Sequence, residues 1–229
     1  MNIQPRLPRE TAREYALRNI KHNIITLALE PGCLVSENEL SAALGVSRTP
    51  IREVLSELSK ASLIEVLPQK GSRVALIDYE LVEESQFLRS VLERAIVALA
   101  CQGADALDFR AVAENVKLQR FYLENHAPER LIELDDAFHG ALFALCGKSR
   151  TYELQRGITT HFDRVRRMSL QSVADTHIVE DHEALLTAIR RGDTAAAQDV
   201  LTQHLSRFRI DEAPLRETYP NYFNQTSGR

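Results

Sequence analysis

The feature that most limits how this chain can fold is a single island of period two in an otherwise helical pattern. From Leu63 to Ile77 the residues read LIEVLPQKGSRVALI, in which apolar and polar side chains roughly alternate and Pro68 to Gly71 supply a turn, the signature of a β-hairpin. On both sides the apolar spacing is helical. Leu17, Ile20, Ile24 and Leu27 recur three and four residues apart before Pro31 and Gly32 stop the pattern, so one stripe of a helix is expected over 13–29. A short helix from Glu37 to Leu44, a turn at Gly45 and a second helix opening at Ser47 follow. The Ser47 hydroxyl is expected to cap the free amides of that first turn, and Pro50 is tolerated there because those amides have no intrahelical partner to lose. Beyond the hairpin, about six helical patterns fill 78–102, 105–125, 129–146, 150–171, 176–191 and 194–211, with no further strand signal. Their separators, Gly103-Ala104-Asp105, Pro128, Gly147-Lys148-Ser149, Ala174-Asp175 and Gly192-Asp193, have turn or capping chemistry. The tail from Pro214 has little periodicity and is expected to be loosely ordered.

Helix, glycine turn, helix and hairpin in that order form a winged helix-turn-helix, in which the second helix enters a DNA major groove by its N-terminus. Leu40, Leu44, Val46, Ile51 and Leu55 would fix the helix angle, leaving Ser47, Arg48, Thr49 and Arg52 exposed at the entering end. Arginine can read guanine bidentately or hold phosphate, and the hydroxyls serve phosphate or base edges. Lys70, Gly71 and Arg73 would sit at the tip of the wing, where a glycine lets the backbone approach the duplex. A common αα-corner with a solvated basic face is the simpler alternative, and the adjoining hairpin and preceding helix argue against it.

EPGCLVSENELSAALGVSRTPIREVLSEL followed by GSRV resembles the DNA-binding domain of GntR-type bacterial transcription regulators over about residues 10–76. The resemblance implies operator contacts from Ser47, Arg48, Thr49, Arg52 and Gly71. Where that family commonly has an arginine that reaches DNA this chain has Asn38, and asparagine can still contact adenine or phosphate. Charge is distributed accordingly. Residues 1–75 carry 10 Lys/Arg against 8 Asp/Glu, and the rest 18 against 24, so a mildly basic module joins an acidic one. Cys33, Cys101 and Cys146 have no paired spacing and read as reduced thiols. No apolar run approaches a membrane span and the N-terminus lacks a secretory pattern, so a soluble cytoplasmic protein is expected.

Three of the seven histidines lie on apolar helical faces. His139 has Leu142 and Cys146 at i+3 and i+7, His182 has Leu185, Leu186 and Ile189, and His204 has Leu201, Leu205 and Phe208. Asp135 lies one turn before His139 and points the same way. In an antiparallel hairpin about Gly192, His182 and His204 stand roughly 15 and 18 Å from the turn and can face each other. Any one of these alone is most simply a core imidazole satisfied by a neighbour. Together, Asp135, His139, His182 and His204 form a mixed nitrogen and oxygen set suited to zinc first, and also to nickel or manganese.

LDDAFHGALFALCGKSR, EDHEALLTAIRRGDTAAA and the later QHL resemble the helical ligand-binding (FCD) domain of the FadR-type subgroup. That resemblance implies a divalent metal held by Asp135, His139, His182 and His204, with Asp136 as the alternative carboxylate, and a small carboxylate effector. FLRSVLERAIVALA is similar to the first helix of that domain, which implies that Arg89 points at the effector; a surface pair with Glu93 at i+4 is the alternative. Arg164, Arg166 and Arg167 read as a solvated basic face. The chain is thus expected to be mostly α: a winged helix-turn-helix over 1–76, an all-α metal- and effector-binding bundle over 77–213, and a tail over 214–229. The implied function is a homodimeric transcription regulator, by family habit a repressor, on double-stranded operator DNA. A metal-dependent hydrolase or lyase would need a general base beside the metal, and no HExxH or similar signature is present.

Overall fold

A computed structural model of the chain describes residues 1–125, 127–172, 177–210 and 212–224. The expected turn at Ala174-Asp175 lies outside the described residues. Chain contacts divide the protein into two units, Met1–Glu80 with the chain from Arg216 onward, and Leu81–Leu215.

The first unit runs α1 (Ala12–Ile25), β1 (Leu34–Val35), α2 (Glu37–Leu44), α3 (Arg48–Lys60), β2 (Ile64–Leu67) and β3 (Gly71–Val74). Capping boxes start two of its helices, Thr11 with Glu14 on α1 and Ser36 with Glu39 on α2, each pairing free amides of a first turn reciprocally. Gly45 ends α2 at φ 64 and ψ 32, the left-handed conformation that a side chain resists. Ser47 occupies the N-cap of α3 as expected, but its side chain makes no cap hydrogen bond. The sheet is antiparallel in the order β1-β3-β2, with Val35 opposite Ser72 and Val66 opposite Ser72 on the other edge. The hairpin was legible in sequence, whereas β1 has only two residues, too few to show a period. Ile20, Ile24, Leu40, Leu44, Ile51, Val54, Leu58, Leu63, Ile64 and Val74 form the core of this unit.

Among its described residues the second unit contains helices joined by short turns and no strand. It comprises most of α4 (Tyr79–Gln102), a 3-10 turn at Ala104–Ala106, α5 (Arg110–Glu124), α6 (Pro128–Leu145), α7 (Ser149–Ile158), α8 (Thr160–Ser172), α9 (His177–Arg190), α10 (Thr194–Ile210) and the start of α11 (Glu212–Thr218). The single helix expected over 150–171 is two, parted at Thr159. Gly157-Ile158-Thr159-Thr160 is a run of poor helix formers. The helix expected from 105 starts at Arg110, whose amide donates to the Asp108 carboxylate at 3.0 Å. Ile96 and Val97 of α4, Val112 and Val116 of α5, Phe138 and Leu142 of α6, Leu185 and Ile189 of α9 and Leu201 and Leu205 of α10 share one apolar core. The tail differs from the expectation of a loose end. It continues as α11, and beyond it Phe223 is buried and pairs with Ile77. Among the described residues no helix is long and apolar enough to cross a membrane.

Candidate functional site

Two sets of side chains stand out, one in each unit. In the first, α3 buries Ile51, Val54, Leu55 and Leu58, which turns Arg48, Thr49 and Arg52 outward. Those three are exposed, as are Asn38 on α2, Ser47, and Lys70 and Gly71 of the wing. Arg52 lies against Glu37, its Nε and one terminal nitrogen each donating at 2.9 Å. So exposed a pair is worth little, and phosphate can replace the carboxylate. Gly71 sits at φ 91, where an added Cβ would lie 3.3 Å from the Val35 carbonyl, so the wing turn requires glycine for two reasons at once. Arg73, expected near the tip, is half-buried and paired with Glu65 at 2.6 Å.

In the second unit, α6 brings Asp135 and His139 to one face, α9 brings His182 and α10 brings His204. One ligand atom from each lies within 4.8 Å of all the others, and all four residues are buried. Asp135 Oδ1 is 3.7, 3.4 and 3.6 Å from Nε2 of His139, His182 and His204, and the His139 and His204 Nε2 atoms are 3.2 Å apart. Asp136 is outside this group and paired with Arg156 and Arg166. Asp135 Oδ1 and His182 Nε2 are buried with no hydrogen-bond partner. Buried polar atoms left so are costly, and a divalent cation is a partner that three imidazole nitrogens and a carboxylate oxygen fit.

A second circle of residues turns those nitrogens inward. His182 Nδ1 donates to Gln119 Oε1 at 2.7 Å, and the Gln119 amide donates to Asn115 Oδ1 at 2.6 Å, so the lone pair of His182 is left on Nε2. His139 Nδ1 lies 2.6 Å from Glu93 Oε2, and His204 Nδ1 lies 3.4 Å from Asp181 Oδ2. Each imidazole thus has an oxygen near its Nδ1 and its Nε2 toward the centre, but only His182 Nδ1 is hydrogen-bonded to that oxygen, while His139 Nδ1 and His204 Nδ1 have no hydrogen-bond partner. An acceptor on the outer nitrogen is the usual arrangement around a metal. Burial, with His204 beside it, holds His182 well below the ordinary imidazole range, so it stays neutral and able to ligate. Burial also lowers His204, against the pull of Asp181. For His139 burial acts the same way, but Glu93 outweighs it and the net direction is upward. Burial disfavours the charge on Glu93, and Arg89 with His139 overcome it and hold this carboxyl below its usual range.

Arg89 is buried and paired with Glu93 at 2.5 Å, so the expected i+4 pair exists, but inside the bundle. Its guanidinium also lies 4.0 Å from Asp135 and 5.2 Å from the centre of the Phe162 ring. The arginines read as a solvated face are not one. Arg164 is fully buried, and Arg166 lies 2.9 Å from Asp135 Oδ2 and 3.8 Å from Asp163. Sequence reasoning missed Glu93, Gln119, Asp181 and Arg166. Glu93 alone carried a signal, its position one turn after Arg89.

Comparisons with known proteins match a family domain in each half of the chain. Residues 13–74 match the bacterial regulatory proteins of the gntR family, and residues 84–207 match the FCD domain. An HTH-type transcriptional regulator in an unstable DNA locus of Streptomyces ambofaciens is 34% identical over 216 residues, covering 93% of this chain and 90% of that one. The HTH-type transcriptional repressor RspR of Escherichia coli is 26% identical over 98% of this chain and all of its own length. Among solved structures, a putative GntR transcriptional regulator from Rhodococcus superposes with a TM-score of 0.71 at 25% identity, over 90% of this chain and 98% of that one. This chain belongs to the GntR family of DNA-binding transcriptional regulators, in the group whose second domain is of the FCD type.

Proposed function

We propose that this GntR-family regulator is a cytoplasmic homodimeric repressor whose hold on its operator is set by a small carboxylate effector at a divalent-metal site in the helical unit. The observation that carries this reading is the buried meeting of Asp135, His139, His182 and His204 around atoms left without a hydrogen-bond partner, Asp135 Oδ1 and His182 Nε2. Those four residues would hold the metal, zinc first. A bound cation there supplies a Lewis-acidic centre that a carboxylate can coordinate. Arg89, 4.0 Å from Asp135, would meet a second charge of the effector. Asn38, Ser47, Arg48, Thr49, Arg52, Lys70 and Gly71 form the DNA surface, and two copies on a two-fold axis would read half-sites about one helical turn apart. Phe87 and Val91, exposed one turn apart on α4, favour a dimer seam along that helix. The effector acts by binding one arrangement of the dimer better than another, since a ligand shifts an equilibrium only through differential affinity. Repression is favoured by the kinship with RspR.

Two measurements test this reading. Elemental analysis of untagged protein purified without chelator should find about one metal ion per chain, the stoichiometry of a four-ligand site, and His204→Ala should lose it while still binding DNA. A His204→Ala protein with full metal content would overturn the ligand set. Arg48→Ala and Arg52→Ala should each weaken binding to a duplex selected by the wild-type protein by about 1–3 kcal/mol; unchanged affinity in both would remove α3 from the interface. A second reading keeps the regulator and drops the metal. Arg166, 2.9 Å from Asp135, favours it by offsetting the buried charge, and absence of metal after incubation with zinc, nickel and manganese would establish it.

A further inference from the structure

We propose that the C-terminal segment is a working part of the DNA-binding unit, a clip that fixes the passage from the wing into α4 and on which operator affinity depends. The chain passes from β3 to α4 through Ala75 to Asp78 alone. At that passage Ile77 forms a parallel bridge with Phe223: its amide donates to the Tyr222 carbonyl at 2.8 Å and its carbonyl accepts from the Asn224 amide at 3.0 Å. Side chains reinforce the backbone. The rings of Tyr79 and Phe223 stack at 5.5 Å, and the Arg216 guanidinium lies 4.9 and 5.0 Å from their centres, a cation shared by two aromatic faces. Arg216 also donates to the Asn224 carbonyl at 3.3 Å, and Asn224 reaches the Asp78 carboxylate at 3.5 Å. Asp78 in turn accepts from the Glu80 amide at 2.9 Å in the first turn of α4. Ile77 is fully buried and Phe223 nearly so.

A free tail would not bury an aromatic ring and exchange two backbone hydrogen bonds with a residue so far away in sequence, because closing so long a loop has an entropic cost that only specific contacts offset. The consequence concerns connectivity. The first unit is built from both ends of the chain, and the helix that leads back to it, α10, carries His204. Two chain crossings therefore join the units, one through α4 and one through α11, and both end in the cluster of Ile77, Tyr79, Arg216 and Phe223. A dimeric reader depends on the placement of its two wings being set before it meets DNA, since freedom at the connection has to be lost on binding.

The inference rests on the reading of this protein as an operator-binding regulator, and its test separates the two. Relative to the full-length metal-free protein, hydrogen exchange at Ile77 to Tyr79 should quicken at least ten-fold in a chain ending at Thr218 and by a smaller factor in full-length Phe223→Ala and Arg216→Gln, with α9 and α10 protected as in wild type. The same variants should bind a duplex selected by the wild-type protein with affinity reduced in the same order, at least ten-fold for the truncation. Wild-type exchange at Ile77 to Tyr79 in the truncated chain overturns the clip, as does protection lost equally from both units. Wild-type DNA affinity in the truncated chain overturns its role in binding. If the wild-type protein selects no duplex, the operator-binding reading fails, and the exchange result still decides whether the clip exists.

Discussion

At the scale of single residues, the groups beside the four candidate ligands bear on which nitrogen of each imidazole is free. An imidazole has two nitrogens, and a neutral one offers a lone pair on one only. Gln119 behind His182 decides that question at 2.7 Å, and Glu93 stands behind His139 at 2.6 Å. Removing such an acceptor leaves the ligand in place but frees its ring and its tautomer. Glu93→Leu should weaken metal binding about 10–100-fold in a chelator competition and also lower stability by about 3–5 kcal/mol, because it removes the buried partner of Arg89, and the Nδ1–H signal of His139 should be lost from nitrogen NMR of the metal-free protein. An unchanged affinity would mean that Glu93 serves only to balance Arg89. That these four residues would meet was legible in sequence because Asp135 and His139 lie one turn apart on one helix, and because His182 and His204 stand at matched heights about Gly192. Asp136, one residue along, could not be separated from Asp135 by spacing, and it is the packing of α6 against α9 and α10 that brings Asp135, and not Asp136, to the histidines.

At the scale of elements, two glycines show why the helices end and approach as they do. Gly45 has a left-handed φ of 64 with open space around its Cβ position, whereas Gly140 lies inside α6, where a Cβ would meet the Tyr152 ring at 2.8 Å. Gly45→Ala should therefore cost about 1–2 kcal/mol from the backbone alone, and Gly45→Asn less. For Gly140→Ala two effects oppose each other. The helix gains about 1 kcal/mol of propensity, and overpacking costs about 1–3 kcal/mol. Tyr152 cannot retreat freely, because its hydroxyl donates to the Asp136 carbonyl at 2.6 Å, so the packing cost should win and denaturant unfolding should show a net loss. A stabilised Gly140→Ala would mean that α7 yields. The break at Thr159 belongs to this scale too: propensity lowers the helix there without saying whether it bends or parts, and that choice lies in the packing of α7 and α8.

For the whole molecule, metal should act as a stabilising ligand of the helical unit. Zinc at 100 times its dissociation constant should add about 2.7 kcal/mol to that unit's stability, seen as a raised unfolding midpoint, and His204→Ala should show no such increment. A wild-type protein with bound zinc and an unmoved midpoint would place the metal elsewhere. The sequence by itself determined the fold class, the winged helix-turn-helix, its exposed α3 residues and the four candidate ligands, because each is written in spacings of two to four residues or in matched distances from one turn. Tertiary structure alone decided which residues stand behind the histidines, that Arg164 and Arg166 are drawn inward, and that the tail closes on Ile77. The reason is range: Gln119 and His182 are 63 residues apart, and Asn224 and Asp78 are 146 apart. Periodicity fixes the face a side chain occupies, while the identity of its distant partner depends on how helices pack and which loops close.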